Sequence, residues 1–132
     1  MDNGAGRDVM VLLRALRLAL LLGVACTAGN AAAADRFFAY NLTTTTDFAG
    51  VYLAPAGTEH WGPNQALNDK DKSLDRSERL SLTGIARGKF DVKLVDSKGH
   101  ICVKRDVDLT RDLIFEIRDA DVASCRRGGP SQ

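Results

Sequence analysis

Lys89 to Ile117 runs KFDVKLVDSKGHICVKRDVDLTRDLIFEI, and apolar residues recur in it at every second position. Phe90, Val92 and Leu94 alternate with Asp91 and Lys93, the period of a strand with one buried and one solvated face. Ile101, Val103, Val107 and Leu109 repeat that parity on the return, and Leu113, Phe115 and Ile117 repeat it again. Between the first two runs, Asp96-Ser97-Lys98-Gly99 suits a type I turn closed by a glycine in the left-handed region. The stretch predicts a hairpin and a return strand. The charges of Lys89 to Arg105, Asp91 and Lys93 among them, belong on a solvated outer face.

Working upstream, Arg79-Leu80-Ser81-Leu82-Thr83 alternates as another strand, and Gly84-Ile85-Ala86-Arg87-Gly88 turns the chain into the hairpin. Thr58 to Asp75 loses the pattern: Glu59 to Asn64 is turn-rich, Asn68 to Ser73 is polar and charged, and Gln65-Ala66-Leu67 suits a short helical turn. A long irregular loop is where function concentrates or where the chain is merely exposed. Before it, Val51 to Ala54 reads as a strand stopped by Pro55, Asp47 to Gly50 as a turn, and Arg36 to Thr43 as the first strand. Downstream, Arg118 to Val122 ends the order, and residues 126–132 form a polar Gly/Pro tail expected to be disordered. Six or seven short strands and no long helix predict an all-β protein. An antiparallel β-sandwich of immunoglobulin-like kind fits first, with a small β-barrel as the alternative.

The domain does not fill the chain. Residues 1–34 carry Arg7, Arg14 and Arg17, an apolar run from Leu18 to Ala28, and four alanines before Asp35, the layout of a secretory signal peptide. The apolar run is too short for a stable membrane span, which needs about 20 residues. Ala32 and Ala34 supply the small residues of a cleavage site, which makes Asp35 the expected mature N-terminus. Cys26 has Gly23 three positions ahead, where a lipoprotein signal wants an aliphatic residue. Arg14 and Arg17 are not the adjacent pair of a twin-arginine signal. The alanine-rich leader is bacterial in style and points to the periplasm or the exterior.

Three of the 18 basic residues and two of the 17 acidic ones lie in the leader, leaving 15 of each in the mature chain. That balance argues against a nucleic-acid partner, which draws a basic surplus, and against an anionic membrane surface. Two cysteines remain after cleavage, Cys102 and Cys125, and in an oxidising compartment an even count predicts a disulfide. A metal thiolate pair or a reactive thiol is the other use of such residues, and only His100 is close in sequence to complete either.

Catalytic signatures are sparse. The chain has two histidines, His60 and His100, and no Gly-x-Ser-x-Gly elbow. His100 falls at the hairpin turn, where solvent is its expected environment. Asp69-x-Asp71-x-Ser73-x-Asp75 places oxygens at alternate positions like a calcium loop. Leu74 and Leu80 then occupy the positions that need Gly and Glu, so a solvated charged loop is expected. Trp61, the one tryptophan, is either an exposed binding anchor or a cap over the open end of the sandwich. Asn41-Leu42-Thr43 matches a glycosylation acceptor that a bacterial leader makes moot.

Taken together, Asn41-Leu42-Thr43, Val51 to Gly57, Trp61-Gly62-Pro63-Asn64 and Phe90-Asp91-Val92-Lys93 resemble the layout of small exported bacterial proteins without an assigned biochemical activity. The likeness spans Phe38 to Cys125. Where such proteins carry a cysteine ahead of the aromatic-Asp strand, Lys89 stands here. The resemblance implies a periplasmic β-sandwich and supplies no substrate, cofactor or active site. The expected function is non-enzymatic binding of a protein or envelope component, with His60, Trp61 and Asn64 as the candidate binding loop and no cofactor. A metal-dependent or hydrolytic enzyme built on the 58–75 loop, and an inhibitor of an extracellular enzyme, are the alternatives.

Overall fold

A computed structural model describes Gly29 and residues 34–127. The leader expected over residues 1–34 therefore lies outside the described residues except at Gly29 and Ala34. Six strands follow: β1 (Phe37–Asn41), β2 (Phe48–Pro55), β3 (Arg79–Leu82), β4 (Lys89–Asp96), β5 (Ile101–Asp108) and β6 (Ile114–Ile117). A 3₁₀ turn, Gln65–Asn68, separates β2 from β3, and a helix, α1 (Asp119–Arg127), ends the chain. The strands form two three-stranded sheets, ordered β3-β1-β6 and β2-β4-β5. This is a β-sandwich without barrel closure. Its one departure from antiparallel pairing is β1 with β6, which run parallel.

The core lies between the sheets. Phe37, Leu80 and Ile117 from one side meet Val51, Val92 and Leu94 from the other. Burying each such side chain stabilises the fold by roughly 1.5–3 kcal/mol. The β4–β5 turn forms as the residues require: Gly99 takes a φ of 86°, and Asp96 Oδ1 accepts the backbone N–H groups of Lys98 and His100. The expected turn at Asp47 to Gly50 instead belongs mostly to β2, which starts at Phe48. Gly50 is needed there because the Tyr52 ring folds over it, and a Cβ would sit 2.8 Å from that ring.

An expectation about facing and one about solvation are overturned at the same irregularity. Opposite Asp91, β5 carries an extra residue, so the register slips between Phe90 and Val92. Asp106 takes a φ of 55° at that bulge. The parity of β5 inverts across it: Cys102 points into the core and Ile101 is 57% exposed, while Val107 and Leu109 beyond the bulge are buried. Asp91, expected on the solvated face, is 3% exposed. A buried carboxylate is tolerated only when hydrogen-bonded. Asp91 accepts the backbone N–H of Gly57 at 2.9 Å and of Asp106 at 3.0 Å, and Arg105 donates to it at 3.0 Å.

Order also continues past Ile117. Helix α1 runs through Arg127, so residues 126 and 127 are helical rather than tail, and 128–132 lie outside the described residues. Its start is held by the Asp119 carboxylate, which accepts both the N–H and the hydroxyl of Thr44. Asp121 takes the Arg118 N–H and the Lys104 ammonium, each at 2.8 Å, and Val122 is buried against the core. Cys125 reaches Cys102 at disulfide distance, with their Cα atoms 5.2 Å apart. The bridge fastens α1 to β5.

Candidate binding groove

The irregular segment between β2 and β3 has a structural task that its sequence did not announce. An outer strand offers unpaired peptide groups to other chains unless something covers them. Here side-chain amides do part of the covering. Asn64 Oδ1 accepts the backbone N–H of Val51, and its Nδ2 donates to the Ala49 carbonyl, pairing with β2 as a neighbouring strand would. Further along, Gly62 donates to the Leu53 carbonyl, and Phe48 and Leu74 exchange backbone hydrogen bonds. Gln65 does the same beyond β3, accepting the Thr83 N–H and donating to the Thr83 carbonyl, and Asn68 donates to Ser81. Asn64 and Gln65 together close the side of the sandwich where β2 and β3 lie.

Asn41 extends the same device inward. It is fully buried, and its Nδ2 donates to the carbonyls of Thr46 and Leu74 while its Oδ1 accepts from Thr43. The side chain of the Asn-Leu-Thr triplet is thus a brace between the β1–β2 loop and the long segment. A run of polar residues carries no hydrophobic period, so none of these roles was visible as a pattern. The one available signal was the spacing of amide side chains, Asn64, Gln65 and Asn68, in a segment next to two strands.

Where this segment leaves β2, it borders a groove of about 480 Å³, within the range of small-ligand sites. His60, Gly62 and Pro63 form one wall, and Thr83 to Phe90 form the other with its entry into β4. Leu53, Pro55, Pro63, Ile85 and Phe90 supply apolar surface; His60, Arg87 and Lys89 supply the titratable groups. Arg87 is held in place: its Nε donates to Asp35 at 2.8 Å and its Nη1 to the Thr110 carbonyl at 3.0 Å. Both partners lie outside the groove lining.

The three residues expected to share a recognition surface separate. His60 is exposed and lines the groove. Trp61 is half-buried. Its ring lies 5.0 Å from the Lys93 ammonium, which also sits 4.7 Å from the Tyr52 ring, so Trp61 packs with Lys93 on the outer face of the β2-β4-β5 sheet. Asn64 has its amide committed to β2. The calcium-like residues turn to local work, Asp69 accepting the Asp71 N–H and Asp75 the Ser73 hydroxyl.

A second cleft, about 430 Å³, lies at the other end of β4, between Thr45 to Asp47 and the Asp96–His100 turn. His100 Nδ1 stands 3.0 Å from Asp96 Oδ2 there. Burial pushes the Asp96 carboxyl up, yet hydrogen bonds from the His100 and Lys98 backbones and the His100 ring outweigh it and hold the group below its ordinary value. These hydrogen bonds serve the turn, and none of the residues lining the cleft has an apolar side chain. Among the described residues no helix is long and apolar enough to cross a membrane, and no three ligand-type side chains converge as a metal site. No family model, no curated protein and no solved structure matches the chain.

Proposed function

We propose that this chain is an exported, non-enzymatic binding protein of the bacterial envelope, and that its recognition site is the groove between His60–Pro63 and Thr83–Phe90. The observation that carries the reading is the composition of that groove. Leu53, Pro55, Pro63, Ile85, Ala86 and Phe90 line it together with an imidazole, two cations, Gln65 and Thr83, and neither a carboxylate nor a thiol is among its lining residues. Such a surface holds a ligand by burial and charge; the paired acid and base of hydrolytic chemistry do not meet there. Export is supported by the leader pattern and by a cysteine pair at bridging distance, which suits an oxidising compartment. The recognition surface accordingly shifts from the whole 58–75 loop to the part of it that faces Gly84 to Phe90.

The test is capture from a cell-envelope fraction by wild type, Ile85→Asp and Trp61→Ala. Loss of the captured partner with Ile85→Asp, and its retention with Trp61→Ala, is the expected result. The opposite pattern moves the site to the outer sheet face and removes the groove from consideration. Elemental analysis of protein purified without a metal-affinity tag addresses the enzyme alternative: a stoichiometric metal that disappears in His60→Ala overturns the non-enzymatic reading.

A further inference from the structure

We infer that the groove takes the free C-terminus of an apolar peptide segment, a proposal that rests on the groove being the recognition site. Three observations converge on that ligand. The first is charge: in a domain with equal numbers of acidic and basic residues, the titratable groups lining this groove are His60, Arg87 and Lys89 alone. These cations favour an anionic group there, with the Asp35 carboxylate offsetting part of the Arg87 charge. Arg87 is positioned for the task, since Asp35 and the Thr110 carbonyl hold its Nε and Nη1 while its Nη2 makes no hydrogen bond among the described residues. A guanidinium fixed in this way meets a carboxylate with little further ordering.

The second observation separates a peptide from a fatty acid. The backbone N–H and C=O groups of Gly84, Ile85, Ala86 and Arg87 form no hydrogen bonds among the described residues, and these residues make up one wall of the groove. A hydrocarbon chain laid over them would strip their water and offer nothing in return. An extended peptide offers alternating donors and acceptors to the same groups. The third is the apolar surface of Ile85, Phe90 and Pro63, which accommodates the side chains preceding the terminal carboxylate. Capture of a C-terminal carboxylate by backbone N–H groups is an established mode of peptide recognition.

The probes are an acetylated Val-Leu-Ile-Phe peptide with a free carboxylate, its C-terminal amide, and decanoate, each titrated calorimetrically into protein purified from cells expressing the full chain. The free acid is expected to bind about tenfold or more tighter than the amide, and decanoate more weakly than the acid. Lys89→Gln, an exposed substitution, should reduce the acid-over-amide preference severalfold. Equal affinity for acid and amide, tighter binding of decanoate, or no binding of the acid each overturns the ligand class. If the acid fails to bind while Ile85→Asp still abolishes envelope capture, only the ligand class falls. If capture survives Ile85→Asp, the groove itself is the wrong site.

Discussion

The carboxylate of Asp91 on β4 accepts the backbone N–H of Asp106 on β5 at 3.0 Å, and Asp106 is the bulge residue, with a φ of 55°. One buried side chain therefore holds both the bulge and, through the Gly57 N–H, the turn that leaves β2. Asp91→Ala leaves two backbone donors without their charged acceptor. It should lower stability by about 2–4 kcal/mol, and Asp91→Asn, which keeps one acceptor oxygen, by less. Urea unfolding at constant m-value measures both. An alanine variant as stable as wild type would show that the bulge is held by something else.

The same carboxylate sets an acid response. Hydrogen bonds from the Gly57 and Asp106 backbones, with the Arg105 guanidinium, hold Asp91 below the ordinary value of 3.8 despite its burial. A depressed folded-state value means that the native state binds the proton less readily than the unfolded chain does. The contribution to stability is therefore complete above the ordinary carboxylate range and is lost as pH falls below about 4 toward the depressed value. Asp96 acts in the same direction. Unfolding free energy measured between about pH 6 and about pH 2 should fall most steeply below pH 4, and less steeply in Asp91→Asn.

Covering an edge with amides predicts a two-part phenotype. Asn64→Ala removes the acceptor for Val51 and Ala66 and the donor to Ala49. Gln65→Ala removes the pairing with Thr83. Each should lower stability by about 1–3 kcal/mol. Each should also expose strand groups that pair between molecules, so light scattering near the melting temperature should rise with protein concentration. A stability loss without association would leave the amides as braces and remove their edge-covering role.

Reduction of the Cys102–Cys125 bridge, at a sequence separation of 23, should reduce stability by about 3.4 kcal/mol in the chain-entropy account. Helix α1 has nine residues and buries Val122 alone among its large apolar side chains, so it has little helicity of its own. Hydrogen exchange over 119–127 should accelerate on reduction far more than in β4. Unfolded protein should show no free thiol at these two positions until reductant is added; two titratable thiols there would remove the bridge.

Trp61 and the groove should behave independently. Trp61→Ala removes a ring 5.0 Å from the Lys93 ammonium, a contact worth about 0.5–1 kcal/mol at an exposed site. The melting temperature should fall slightly, and affinity for the Val-Leu-Ile-Phe acid should stay within about twofold of wild type. A large loss of peptide affinity would place the tryptophan in the site.

Alternation and turn chemistry are local properties, so β4, the Asp96–Gly99 turn and β3 could be read from residues close together in the chain, and the cysteine pair from its even count. Phe115 and Ile117 of β6 are buried by the same alternation, whereas Leu113, read with them, precedes the strand and is 40% exposed. His60, a candidate through its place in an unpatterned segment, lines the groove that borders that segment. What local pattern cannot carry is a change of register. One extra residue in β5 turned Ile101 outward and Cys102 inward, and the bulge backbone with Arg105 covers Asp91 on the outer face.

The groove is likewise a product of distance. Its walls come from segments that meet because Gln65 pairs with Thr83, 18 residues on, and Gly62 pairs with Leu53. Strand identity and turn geometry follow from neighbouring residues, whose alternation selects a buried face and whose turn types select a bend. Which face of β5 is buried, which polar residues become internal struts, and where an open cationic groove forms depend on hydrogen bonds between segments far apart in sequence. Those bonds exist only once the two sheets have packed.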